Sequence, residues 1–504
     1  MARVGEGSVN TKTFASQMIN GTLISLFSLV FAKGLNLFRT ILVARLLSAL
    51  DFGLFSLLFS FFYFVLNLAI FGFPATSAKY IASLRSRHSD ITKFVVNLYF
   101  LVGCFALMVG AGVYLLAHFI ASRVYQEPLL GQPIRWMGGA VFFQSLFAIN
   151  MSLLQGFSLY YQRSALEIID SLLGLGLMVL LVNRFSVIGV AMAFFVEGVI
   201  SFIISFLVLW KVIGFGGFRK KMASLNAETI KEILKFSFPL FLTVISVYGF
   251  YWVGDILLKK YSSHLEQVGW MYIARSLGQV VLFIPVAMSV PLLPIMSSES
   301  EGKREEFQNY LRISWFLSFV VGMVIGVIAR TLIPALFGTH YLAAAYAVFL
   351  YSIASIPMAM TTSIFSAILT GKGYIWSLTV FNLLWGFIFT GLSRLFIPCW
   401  EIEGAMYAYI LSFTLLAGMM GFFMKKRGIS SGITGGLILY FLGVIMLTAL
   451  FLLRLEGTAY FFSIVIWVPV MITLGVFLLG KENRKAMIKR ILWLFRFNIT
   501  ERKP

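Results

Sequence analysis

Charge is scarce in this chain. Asp, Glu, Lys and Arg together make up 12% of its 504 residues, where soluble domains carry about a quarter. Hydrophobic residues reach 60% and the mean hydropathy is +0.92, which excludes a soluble globular class and leaves a polytopic integral membrane protein. Cysteine is nearly absent. Cys104 lies inside one apolar run and Cys399 just outside another, so there is neither a disulfide framework nor metal-ligand spacing. The four histidines, His88, His118, His264 and His340, are scattered without paired spacing or an acid beside them on a helical face. No catalytic constellation emerges, and the chain reads as a non-enzyme without a metal site. Phosphate-loop spacing is also missing: Gly214-Phe215-Gly216-Gly217-Phe218-Arg219-Lys220-Lys221 matches no such motif and follows no strand.

What the chain has instead is apolar runs. Each bilayer crossing needs about 20 mostly apolar residues, which divides the sequence into fourteen expected spans: 17–46, 52–74, 94–121, 134–156, 164–183, 187–210, 233–258, 267–296, 311–337, 342–369, 374–397, 402–424, 433–453 and 458–479. The fold class is therefore all-α. The first run shows no small-residue cleavage site after a short hydrophobic stretch, so it is expected to be a permanent span rather than a signal peptide.

Three glycines repeat. Gly53, Gly156 and Gly189 are followed about 216 residues later by Gly269, Gly371 and Gly404, with Gly189-Val190-Ala191-Met192-Ala193 matched by Gly404-Ala405-Met406-Tyr407-Ala408. A duplicated unit predicts two six-helix lobes with a functional cleft between them, as in transporters built from repeats. The expected organisation is an N-lobe over 1–215, a cytoplasmic linker over 216–235, a C-lobe over 236–427, two further spans over 428–480 and a basic tail over 481–504.

Basic loop residues remain cytoplasmic. Alternating the fourteen spans puts 28 of the 40 Lys and Arg on one side and eight on the other, so both termini are expected in the cytoplasm. The net charge of +20 is thus mostly topological and suits anionic lipid head groups at the inner leaflet. It does not form the soluble basic surface that nucleic-acid binding would need.

Ionisable residues inside a membrane are costly and mark function by default. The expected spans contain Lys33, Arg39, Arg275 and Arg330, and the acids Asp170, Glu197 and Asp255. At about 100° per residue, Lys33, Asn36 and Arg39 share one face of the first span, which should look into a polar cavity. Arg39 and Arg330 have the alternative of snorkelling to the outer interface or pairing with an acid. Cations on spans 1 and 8, one in each lobe, suit an anion, and a diphosphate fits Arg and Lys chemistry. Lys33, Arg39 and Arg275 are the candidate ligands, with Asn36 and Arg330 as further cavity residues. Aromatics such as Tyr63, Tyr248, Tyr251, Trp252, Trp270 and Tyr272 could stack sugars, but lipid-facing or interfacial packing is the better expectation for any one of them. Glu197, Asp170 and Asp255 are candidates for coupling to a proton or sodium ion. Glu167 and Asp170 near the start of span 5 also have a structural reason at a helix N-terminus.

The run Ala44-Arg45-Leu46-Leu47-Ser48-Ala49-Leu50-Asp51-Phe52-Gly53-Leu54-Phe55-Ser56, followed by Gly72-Phe73-Pro74 and Lys79-Tyr80-Ile81-Ala82, resembles the N-terminal signature of polysaccharide biosynthesis membrane proteins. These are the Wzx-type flippases of the multidrug/oligosaccharidyl-lipid/polysaccharide exporter superfamily. The resemblance implies a MATE-like architecture in the cell membrane. It implies alternating access that moves a polyprenyl-diphosphate-linked oligosaccharide to the outer leaflet, no cofactor beyond a coupling ion, and a polysaccharide polymerase and glycosyltransferases as partners. A MATE-type drug antiporter is one alternative, weakened because span 1 carries Lys33 and Arg39 where such proteins place acids. A MurJ-like lipid II flippase is another. A non-transporting scaffold would need no charge inside the membrane.

Overall fold

The computed structural model describes residues 30–86, 91–213, 226–297 and 304–429, and every element among them is helical. The last two expected spans, the basic tail, the start of the first span and the 214–221 run lie outside the described residues. The helices are α1 (30–46), α2 (Ala49–Ile70), α3 (Phe73–Ser86), α4 (Ile91–Phe119), α5 (Gly131–Gly156), α6 (Tyr160–Ile213), α7 (Ala227–Tyr261), α8 (Glu266–Ser297), α9 (Arg304–Phe337), α10 (Ala344–Ala359), α11 (Ser366–Gly371) and α12 (Ile375–Lys426). A π-helical turn over Met360–Phe365 joins α10 to α11.

Nine helical stretches among the described residues are long and apolar enough to cross a membrane, and two of these run for 52 residues. At 1.5 Å per residue such a helix would measure about 78 Å, far more than the ~30 Å hydrocarbon core. Both break at one residue with positive φ: Ser186 (φ 49°, ψ −129°) in α6 and Glu401 (φ 48°, ψ −123°) in α12. Residues eight apart on a straight helix are separated by about 12 Å. A Cβ at Gly189 would nonetheless lie 2.5 Å from the carbonyl carbon of Leu181, and one at Gly404 would lie 2.5 Å from that of Phe396. The chain therefore folds back on itself at both places. The nine stretches supply eleven arms, matching expected spans 2 to 12, and the repeated Gly189 and Gly404 are the residues that let each pair of arms meet backbone to backbone.

The structure adds α3, which is too short to span and follows the left-handed turn at Phe71 and Gly72. A hydropathy reading passes over it, because its mixed composition carries no apolar run. Ala227–Tyr261 begins inside the expected linker, so residues 227–235 are helix.

The described helices belong to two compact units, Met1–Lys260 with His264–Gly269, and Tyr261–Ser263 with Trp270–Pro504. In the first, Phe73 and Ile81 of α3, Phe94, Leu98 and Val102 of α4, and Phe147, Ile149 and Leu153 of α5 form a buried core. Small polar groups join the helices inside it: Ser77 and Ser152 share a hydroxyl bond of 2.5 Å, and the Asn150 amide donates to Ser205 at 2.8 Å. Such bonds average about 0.6 kcal/mol within membranes. They specify which faces meet more than they stabilise.

Helix α7 packs along most of its length on the first unit. Asn226 caps it, its side chain accepting from the Glu228 N–H at 2.9 Å while its own N–H donates to Asn97 Oδ1 at 3.0 Å. Thr76 and Ser237 pair through their hydroxyls at 2.7 Å, and Lys79 lies 4.0 Å over the Phe236 ring. Towards the far end Trp252 stacks on Phe64 and donates to the Tyr125 hydroxyl at 2.6 Å, and Lys259 pairs with Glu127 at 3.1 Å. In the second unit Trp385 stacks on Phe389, Tyr409 packs against Phe389 at a tilt, and Phe413 and Tyr351 close the cluster.

Candidate functional site

The α6 hairpin sets the site. Its two arms run antiparallel about Ser186, which donates to Asp51 at the start of α2 at 3.2 Å. Moving away from the turn, Leu181 faces Gly189, Gly174 faces Glu197, and Asp170 accepts from Ser201 at 2.6 Å, each pair spaced almost equally from Ser186. Glu197 is eleven residues from the turn, about 16 Å along the helix. Half of a ~30 Å core is about 15 Å, so a turn placed at a membrane face would put Glu197 near mid-membrane.

Into that position α1 delivers Arg39. Its Nη1 lies 3.1 Å from Glu197 Oε1, with Arg39 8% and Glu197 4% exposed. The guanidinium carbon stands 4.6 Å from the centre of the Phe194 ring, and Tyr63 and Asp170 also act on the cation through space. Gly174 completes the enclosure: a Cβ there would fall 2.6 Å from the Glu197 carboxyl carbon and would overlap the joined atoms of the pair. The second arm of each fork is left over. Arg39 Nη2 and Glu197 Oε2 are buried and hydrogen-bond to nothing among the described residues, at a cost of about 1–3 kcal/mol per group and more when charged.

The other predicted residues divide by unit. Lys33 and Asn36 are exposed on α1, so the shared face splits into an open part and the enclosed Arg39. Lys33 has Glu167 as its electrostatic partner, and Glu167 is itself bridged by Arg163 at 3.0 Å. Asp170 lies ten residues into α6, beyond the first turn, and Ser201 rather than the helix terminus holds it. Asp255 is buried in α7. Arg275 is half-buried on α8 in the second unit, in electrostatic reach of Tyr351 and Tyr409, and Arg330 is exposed on α9. The structure thus brings together Arg39, Glu197 and Asp170 in the first unit, while Arg275 and Arg330 belong to the second. Three residues were missed: Gly174, Phe194 and Ser201. Only the wheel spacing of Phe194 one turn before Glu197 hinted at any of them. Trp252, expected to face lipid or the interface, instead stacks on Phe64 and donates to Tyr125 within the unit.

Among the described residues no group of three or more His, Cys, Asp or Glu is placed to hold a metal. The arrangement offers an enclosed guanidinium that has one arm engaged by Glu197 and the other without a hydrogen bond among the described residues.

Solved structures share this fold. A lipid II flippase MurJ in an inward closed conformation matches with a TM-score of 0.68 at 14% identity, over 93% of this chain and 99% of that one. An inward-facing multidrug resistance MATE family transporter of the MOP superfamily matches with 0.65 at 14% identity, over 82% and 98%. A MOP superfamily transporter from Pyrococcus furiosus, described as having a binding pocket of reversed polarity, matches with 0.58 at 13% identity, over 83% and 96%. No curated protein matches the sequence. The family profile described as polysaccharide biosynthesis protein matches residues 18–300. With more than half of the chain inside that match, and a fold shared with membrane transporters and flippases, the chain belongs to the polysaccharide biosynthesis protein family.

Proposed function

We propose that this protein is a flippase that carries a polyprenyl-diphosphate-linked oligosaccharide from the cytoplasmic to the outer leaflet by alternating access, in a cell membrane with both termini cytoplasmic. The observation that carries this reading is the buried guanidinium of Arg39, enclosed between an apolar helix hairpin and α1 in a chain of this family. A charge at mid-membrane costs about 2.5–3.5 kcal/mol on insertion scales, and a substrate phosphate would give it a use. Arg275 on α8 and Lys33 on α1 are the further cations proposed for the diphosphate, with the sugar in a hydrated path and the prenyl tail in lipid. Drug export, the reading suggested by the MATE structures, would draw on Glu197 and Asp170, yet the charge of Glu197 is offset by Arg39 and Asp170 accepts from Ser201.

The test is reconstitution in liposomes, comparing flipping of a short polyprenyl-diphosphate saccharide with uptake of a cationic dye. Saccharide flipping by the wild type that Arg39→Ala abolishes, with membrane insertion intact, is the expected result. Dye movement without saccharide flipping would reject the proposal and favour a drug exporter.

A further inference from the structure

The Arg39–Glu197 pair is half-made, and the geometry explains why. A guanidinium that only neutralises a carboxylate does so best through two parallel bonds. Here Nη1 alone is joined to Oε1 at 3.1 Å, and among the described residues both Nη2 and Oε2 are left without a hydrogen bond in a buried setting, where orphaned polar groups are rare and call for a reason. The guanidinium carbon of Arg39 lies 4.6 Å over the Phe194 ring, which packs beside the pair. Gly174 provides the space in which the joined arms sit, since any side chain there would occupy it. Asp170, the other carboxylate acting on Arg39, is held by the Ser201 hydroxyl.

We infer that Glu197 and Gly174 are positioning residues, holding Arg39 by one arm so that the other, Nη2, is kept for a phosphate oxygen of the substrate. The inference rests on the flippase reading above and gives Glu197 a role distinct from ion coupling. Nη2 is shut off from solvent in this structure, so the phosphate takes it in a conformation that has opened between α1 and α6. Lys33, exposed six residues earlier on α1 and about 9 Å along its axis, is the cation such an anion meets first. An amide can replace a positioning carboxylate because Oε1 still accepts from Nη1. It cannot replace a carboxylate that carries a coupling proton or sodium ion.

The test titrates the full chain in lipid nanodiscs with geranylgeranyl diphosphate, using geranylgeraniol as the uncharged control and calorimetry as the readout. The wild type should bind the diphosphate and not the alcohol. Gly176→Ala, whose added Cβ meets nothing within 4 Å, should match it, and Glu197→Gln should bind within about twofold. Gly174→Ala should bind at least tenfold more weakly, about 1.4 kcal/mol. Because its Cβ meets the ends of two flexible side chains, this variant keeps its fold while displacing the pair. Gly174→Ala binding like the wild type, or Glu197→Gln binding as weakly as Arg39→Ala, would overturn the positioning role and leave the flippase reading standing. A wild type that fails to distinguish the diphosphate from the alcohol would overturn both.

Discussion

Replacing Gly189 or Gly404 with alanine tests the helical hairpins directly. An added Cβ would stand 2.5 Å from the carbonyl carbon of Leu181 or Phe396, whereas carbon atoms rest about 3.5–4.0 Å apart. The arms would have to part by roughly 1 Å. The obstructing atoms are backbone, five residues before a turn with positive φ at Ser186 or Glu401 that the glycines follow by three, so no side chain can swing aside. Overpacking of this kind costs about 1–3 kcal/mol, and the upper end applies when backbone must move. Alanine recovers about 1 kcal/mol of helix propensity, which leaves a net loss of about 2 kcal/mol. At roughly 2–4 °C per kcal/mol for a unit of this size, each variant should melt about 4–8 °C below the wild type. Fluorescence-detected size exclusion of detergent-solubilised protein after a temperature ramp measures this. The controls Gly176→Ala and Gly391→Ala, with nothing within 4 Å of the added carbon, should melt at or slightly above the wild type. If Gly189→Ala melts alongside Gly176→Ala, the arms do not meet as described.

The buried pair gives a second prediction. Glu197→Leu strands the Arg39 charge and should cost about 3–5 kcal/mol, while Arg39→Met with Glu197→Leu should return to within about 1 kcal/mol of the wild type in the same melting assay. A double variant as unstable as the single would mean that the cation has another buried partner. Orientation can be read by labelling: in a background lacking Cys104 and Cys399, cysteine at Arg184 should react with an impermeant maleimide added outside cells, and cysteine at Arg163 only after the membrane is opened. The reverse pattern would invert the topology and with it the proposed direction of transport.

Much of the architecture was readable because the bilayer imposes one length and one polarity on every crossing. The breaks expected after residues 183 and 397 fall at Ser186 and Glu401, and the repeated Gly189 and Gly404 turn out to be points of contact. Helix α3 left no apolar run to find. Pairing was less legible than placement. Arg39 and Glu197 were each picked out, yet 158 residues separate them, and the periodicity of one helix says nothing about which face of another it meets. Gly174 is a glycine among many until the pair beside it is seen.

Helix α7 follows the segment that joins the two repeats, yet its contacts run through Asn97, Thr76, Lys79, Phe64, Tyr125 and Glu127. Anyone wishing to prepare a half-molecule should take this into account. A fragment cut at the repeat boundary, near residue 215, would uncover aromatic and hydroxyl groups that need α7. One carried through Gly269 follows the boundary of the compact unit and keeps them covered.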